Sequence, residues 1–255
     1  MITLLSTQEK PKGSILFVHG MCHGAWCWNQ GFMQSFSDAG YNTYAIDLPF
    51  HDKPGRDKKV NQASINDYVK SIEQAVDFIN KDVILVGHSM GGFITQKFLE
   101  QHSCKAAVLL ASVPYSGILP GAIRYLRNHP SAFFNLVAQD IYGPFVKYAE
   151  ELYSTTTDKQ KIEEYKLLMR SESFKALLNM MFKPVRVANP NNVPILVTGA
   201  DHDQVISLKE VKQTAEFFGL TPQIFSGFGH NLMLDKGNEE VSAYIINWLN
   251  QELEG

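Results

Sequence analysis

Cysteine is scarce in this chain, with Cys22, Cys27 and Cys104 the only three thiols among 255 residues. Three irregularly spaced thiols build neither a disulfide framework nor a zinc site, so reduced side chains are expected. Long apolar runs are missing too: the longest, VILVG and AAVLLA, stop at five or six residues. A bilayer-spanning helix needs about 20, so stable membrane insertion is not expected. The first twelve residues lack the basic-then-apolar pattern of a secretory signal, which points to a cytoplasmic protein. An excess of one charge is also absent. With a net charge of -3, a pI near 6.2 and both signs scattered along the chain, no basic footprint awaits a phosphate backbone, and no nucleic-acid partner is expected.

What is present is material for a core. The hydrophobic share is 45%, and the length is near that at which a single core stops growing, so one domain, or one domain with a large insertion, is expected. Short β-rich runs (ITLLST, SILFVHG, YNTYAID, DVILVGHS, KAAVLLAS, PILVTGA, TPQIFS) alternate with helical patterns near 28–39, 61–80, 90–102, 207–218 and 238–252. In the last of these, Val241, Tyr244, Ile245, Trp248 and Leu249 share one face. Such alternation defines an α/β fold, a mostly parallel central sheet flanked by helices, with ligands at the carboxyl ends of the strands. The rhythm breaks between 115 and 186, where no strand pattern appears. Pro114 and Pro120 mark the start of this stretch, and Pro184, Pro190 and Pro194 its end. It reads as a helical cap inserted into a core made of 1–114 and 187–255, since about 70 residues far exceed an ordinary connection.

VILVGHSMGG places Gly87-His88-Ser89-Met90-Gly91 between a strand pattern and a helix pattern. In that context G-x-S-x-G is a sharp strand-to-helix turn, its serine raised at the top of the sheet and its glycines required by close packing. With FVHG near the start and FGH near the end, the chain resembles the α/β-hydrolase fold family over nearly its whole length. The fuller pattern HGMCHGAWCW is similar to the short-loop esterase and hydroxynitrile-lyase branch.

That resemblance implies Ser89 as nucleophile and the backbone N–H groups of Met21 and Met90 as oxyanion hole, while His23, Trp26 and Trp28 brace the loop. His230, in SGFGHNLML, follows the last strand pattern and is the implied base. His19 and His88 are expected to pack beside these turns, and His51, His102 and His129 to be surface or cap residues. The acid should follow the strand after the cap, within GADHDQVIS. The family spacing from Gly199 lands on His202, one residue out. Counting back from the Ser207–Glu210 capping box favours Asp203, with Asp201 as the alternative. Asp201, His202 and Asp203 are consecutive, so their side chains diverge and no metal is expected. In DLPFHDKPG, Asp47 and Pro49 match a family turn but Phe50 and Asp52 replace its glycines, so His51 and Asp52 read as a surface loop at the pocket rim.

The chemistry implied is cofactor-free hydrolysis of a small, apolar acyl ester through an acyl-enzyme. A thioesterase, a C–C bond hydrolase or a perhydrolase on the same triad are alternatives, as is a ligand receptor on a retained hydrolase fold. Lyase chemistry is disfavoured because Asn231 stands where a lysine is expected. Candidate substrate contacts are Gly20, Cys22, His88, Phe228, Phe134 and Met181. Among the other apolar cap residues, Phe133, Leu136, Tyr142, Phe145, Met169, Met180 and Phe182 could line the pocket or form the cap's own core. A monomer or homodimer is expected.

Overall fold

The computed structural model describes residues 1–79, 82–189 and 191–254. Pro190 and the last residue of the 61–80 helical pattern lie outside them.

Seven strands form one sheet: β1 (Ile2–Leu4), β2 (Gly13–Val18), β3 (Tyr41–Ile46), β4 (Val83–His88), β5 (Ala106–Leu110), β6 (Ile195–Ala200) and β7 (Gln223–Phe225). Their order is β1-β3-β2-β4-β5-β6-β7, with β1 antiparallel to β3 and every other pair parallel. Strands β4, β5 and β6 are buried along their full length, which is why they read as unbroken apolar runs. Alternate residues still serve opposite layers. On β2, Leu16 and Val18 face α2 (Ile65–Ile79) and α3 (Met90–Leu99), while Ile15 and Phe17 face α1 (Phe32–Asp38) and the C-terminal helix Asn238–Glu254.

Between β5 and β6 the chain forms α4 (Leu119–Asn128), α5 (Ala132–Val137), α6 (Tyr142–Lys147), α7 (Lys159–Leu168) and α8 (Phe174–Phe182), with a 3-10 turn at Ala149–Leu152. The two ends of this stretch meet, because the Val185 N–H donates to the Tyr115 carbonyl at 2.8 Å. After β6 come α9 (Leu208–Phe217), opened by the Ser207–Glu210 capping box, and α10 (Asn238–Glu254). Val241, Ile245 and Leu249 are fully buried, whereas Tyr244 sits at the edge of the stripe and is 39% exposed, its ring edge-on to Phe225. No helix of the described residues is long and apolar enough to cross a membrane.

Candidate active site

β4 ends at His88 and α3 begins at Met90, so Ser89 alone makes the turn between them. Its backbone lies at φ 52°, ψ -115°, a conformation that costs a residue with a side chain about 1–3 kcal/mol. Surrounding bonds hold it there. The Ser89 N–H donates to the Leu110 carbonyl (3.1 Å), and the Ser89 carbonyl accepts from the N–H groups of Phe93 (3.2 Å) and Val113 (3.0 Å). A Cβ at Gly87 would stand 2.5 Å from the Gly91 carbonyl oxygen, and one at Gly91 would collide with the Val18 carbonyl. The turn therefore packs only with glycine on either side.

His230, in the loop after β7, brings Nε2 to 2.9 Å from Ser89 Oγ and Nδ1 to 2.8 Å from Asp203 Oδ2. An ionised carboxylate only accepts, so the network assigns the proton to Nδ1 and leaves the Nε2 lone pair facing the serine hydroxyl. Asp203 is itself aimed by its other oxygen, which accepts from the N–H groups of Val205 (2.7 Å) and Ile206 (2.9 Å). Asp201 belongs to a different turn. Its carboxylate accepts from the Ser226 hydroxyl and the Gly227 N–H, both at 2.7 Å, and the Ser226 bond holds its pKa below the usual carboxylate range. The Asp201 N–H donates to Phe225 and the His202 N–H to Phe228, so the extra residue after Gly199 is absorbed there, with His202 60% exposed at the side chain.

Met21 and Met90 are buried, and among the described residues neither N–H finds an acceptor. Buried orphan N–H groups are rare, and these two stand on the turns flanking Ser89. Three neutral histidines stiffen the surroundings. The His19 Nδ1–H donates to the Gly20 carbonyl (2.8 Å) while its Nε2 accepts from the Leu48 N–H (3.1 Å). The His23 Nδ1–H donates to the Met21 carbonyl (2.7 Å), and its Nε2 accepts from the Asn231 amide (3.2 Å). The His88 Nε2–H donates to the His230 carbonyl (3.0 Å). Although His19 and His23 are four residues apart, their ring nitrogens are thus occupied, and among the described residues no cluster is arranged to hold a metal.

Burial lowers the pKa of all three, that of His23 to about 4. The unfolded chain protonates them near 6.5 and the native one does not, so the unfolded state binds more protons and stability falls as pH drops below about 6.5. The slope from these three approaches about 4 kcal/mol per pH unit at its steepest. Urea unfolding at pH 7.5, 6 and 5 measures it, and an unchanged midpoint would contradict it.

His51 is not a surface residue. It is buried, and its Nε2 meets Glu172 Oε2 at 3.2 Å, because the turn after Asp47 folds inward under the 115–186 stretch. Glu172 also accepts from the Tyr68 hydroxyl (2.9 Å), the Ser173 N–H (2.7 Å) and the Cys22 N–H (3.3 Å), while the Cys22 carbonyl accepts from the Arg170 N–H (3.0 Å). Cys22 has φ 59°, and this pair of bonds holds the turn beside Met21. Burial of His51 lowers its pKa, but the Glu172 carboxylate more than offsets this and the net shift is upward. Glu172→Ala strips His51, the Tyr68 hydroxyl and two backbone N–H groups of their shared buried acceptor and is expected to cost about 3–5 kcal/mol in urea unfolding; a loss under 1 kcal/mol would show the cluster to be dispensable. No motif marks Glu172. The same holds for Asp235, which accepts from the Gly229 N–H (2.6 Å), the Ser154 N–H (2.9 Å) and the Thr157 hydroxyl (2.7 Å) and so ties the His230 loop to the helical stretch.

A cavity of about 120 Å³ opens beside Ser89, walled mainly by apolar side chains of α4, α5, α6 and α8. Met181 lines it, as do Met21, Leu136 and Phe145. The other candidate contacts lie elsewhere. Phe134 is 75% exposed because α5 turns that face to solvent; Phe133 and Phe182 likewise face outward, and Met169 and Met180 are buried core. Phe228 packs on Phe225 behind the His230 loop. Gly20 and His88 lie packed against each other below the serine, and Cys22 is wholly buried with its thiol pKa pushed up by burial. Of the missed lining residues, Gly121, Ala122, Tyr125 and Leu126 recur at helical spacing on one face of α4, and Ile118 is its N-cap.

Fold and site geometry together define an α/β-hydrolase. The chain matches the fold of an esterase from Exiguobacterium antarcticum (TM-score 0.76, 15% identity, 98% of this chain and 94% of that one). It also matches MenH from S. aureus (TM-score 0.72, 17% identity, 98% of both chains). The chain belongs to the Hydrolase_4 family (serine aminopeptidase, S33), whose model matches residues 9–237. It is similar to norfluorocurarine synthase 1 of Strychnos nux-vomica, 33% identical over 131 residues (50% of this chain, 46% of the relative). Methyl jasmonate esterase 1 of Vitis vinifera is 34% identical over 118 residues (44% of this chain, 42% of the relative). The chain spans about half the length of the curated relatives it matches.

Proposed function

We propose that the protein is a serine hydrolase that cleaves carboxylic esters, with Ser89, His230 and Asp203 as its triad and the Met21 and Met90 N–H groups as its oxyanion hole. The observation that carries this reading is the continuous Ser89–His230–Asp203 chain of 2.9 and 2.8 Å contacts beside two orphan N–H donors. His230 Nε2 takes the Ser89 proton as Oγ attacks the ester carbonyl, and the two N–H groups receive the charge that develops on its oxygen. Collapse expels the alcohol, protonated by His230. Water activated by the same nitrogen then releases the acid. Residues 115–186 serve as the cap and 1–114 with 187–255 as the core.

The lining favours an apolar ester over a charged substrate. Two carboxylates reach the cavity, and each is already engaged: Asp140 pairs with Arg56, and Glu151 accepts from His129 Nε2 at 2.9 Å. Neither is free to recognise the amine of a peptide N-terminus. A chain-length panel of p-nitrophenyl esters and the matching thioesters tests the reading. Repeated release of p-nitrophenol supports it; absence of turnover on every acyl substrate, with tight binding of an apolar ligand, identifies a receptor instead.

A further inference from the structure

Three of the helices that wall the cavity also carry exposed apolar side chains. Inward, α4 presents Ala122 and Tyr125, α5 Leu136, and α8 Leu177. Outward, Leu119 and Ile123 on α4, Phe133 and Phe134 on α5, and Leu178 and Phe182 on α8 stand in solvent. Exposed large apolar side chains gathered on neighbouring helices mark a contact surface.

Charge identifies the occupant. Residues 115–139 and 173–189 contain no Asp or Glu, in a chain whose net charge is -3. Arg127 extends the Leu119–Ile123 stripe by one turn, Lys175 precedes Leu178 by three residues, and Lys183 follows Phe182; all three are exposed. Among the described residues none of the three is in a salt bridge, whereas Arg124, which meets Glu210 at 2.8 Å, is already engaged. Apolar side chains on helices that carry cations and no carboxylate of their own suit a surface of acyl chains under anionic headgroups. A symmetric second copy would set these cations against their own equivalents, which disfavours a homodimer through this face.

We propose that the outer faces of α4, α5 and α8 form a docking surface for an anionic lipid interface, with Phe133 and Phe134 entering the acyl boundary. The contact is peripheral and goes beyond the ester-hydrolase reading. Only its consequence, that an apolar ester partitions from that interface into the cavity one helix away, rests on that reading.

Co-sedimentation of the full chain with sucrose-loaded vesicles tests the docking, using phosphatidylcholine alone and phosphatidylcholine mixed with phosphatidylglycerol. Ser89→Ala run in parallel separates binding from turnover. Preference for the anionic vesicles by about tenfold or more is expected, and so is its loss in Lys175→Glu/Lys183→Glu. Phe133→Ser/Phe134→Ser should weaken binding by about tenfold while turnover of a soluble p-nitrophenyl ester stays unchanged, since neither ring lines the cavity. Binding to neither vesicle, or binding indifferent to the Phe pair, overturns the proposal. So does a dimer that the Phe pair converts to monomer, which would assign the face to a second copy. Failure of the ester reading alone leaves vesicle binding intact and ester turnover absent.

Discussion

Ser89→Ala is expected to lower kcat on a p-nitrophenyl ester by about 10⁵- to 10⁶-fold, the loss seen when a triad nucleophile is removed and only the oxyanion hole and binding remain. The fold should tolerate it. Alanine keeps the Cβ, so the cost of φ 52° is unchanged, and the three backbone bonds that hold residue 89 do not use its hydroxyl. What disappears is the Oγ that meets His230 Nε2. An unaltered melting temperature, retained binding of an apolar ester and abolished turnover together identify a nucleophile. Residual turnover within tenfold of wild type would assign the chemistry to another group, and Cys22 is a poor candidate because its buried thiol resists ionisation.

Features that depend on neighbours in the chain are legible in the sequence. The strand-to-helix turn at Ser89 is one, because Gly87 and Gly91 answer to steric limits within a few residues of Ser89 and to the strand beside it. The capping box is another, and it sets the register that reaches Asp203. The β4, β5 and β6 runs are readable since strands buried on both faces need continuous apolar stretches. Features that join distant parts of the chain are hidden. His51 and Glu172 are 121 positions apart, so nothing in DLPFHDKPG reports that its histidine will be buried against an acid of the helical stretch. Phe134 departs from its expected place at the pocket for another reason. α5 has six residues, less than two turns, and AFFNLV is too short for periodicity to say which aromatic faces the cavity.

The acid is tested by Asp203→Asn beside Asp201→Asn. Position 203 has two demands on it: the Val205 and Ile206 N–H groups require an acceptor, and His230 Nδ1 requires a partner that accepts its proton. An asparagine can offer its single oxygen to only one side. If the amide oxygen keeps the two backbone N–H groups, its NH₂ faces His230 Nδ1, the ring proton moves to Nε2, and the lone pair that should take the Ser89 proton is gone. A fall in kcat of about 10⁴-fold is expected, with KM little changed because no cavity wall has moved. If the amide turns the other way, two buried N–H groups meet an NH₂, and the cost appears as about 1–3 kcal/mol of lost stability. Either outcome distinguishes 203 from 201. Asp201→Asn alters a partly exposed turn in which an amide oxygen can still accept from Gly227, so activity within about twofold of wild type is expected. Loss of turnover in Asp201→Asn alone would place the acid on the other side of His202 and require the His230 loop to close differently in solution.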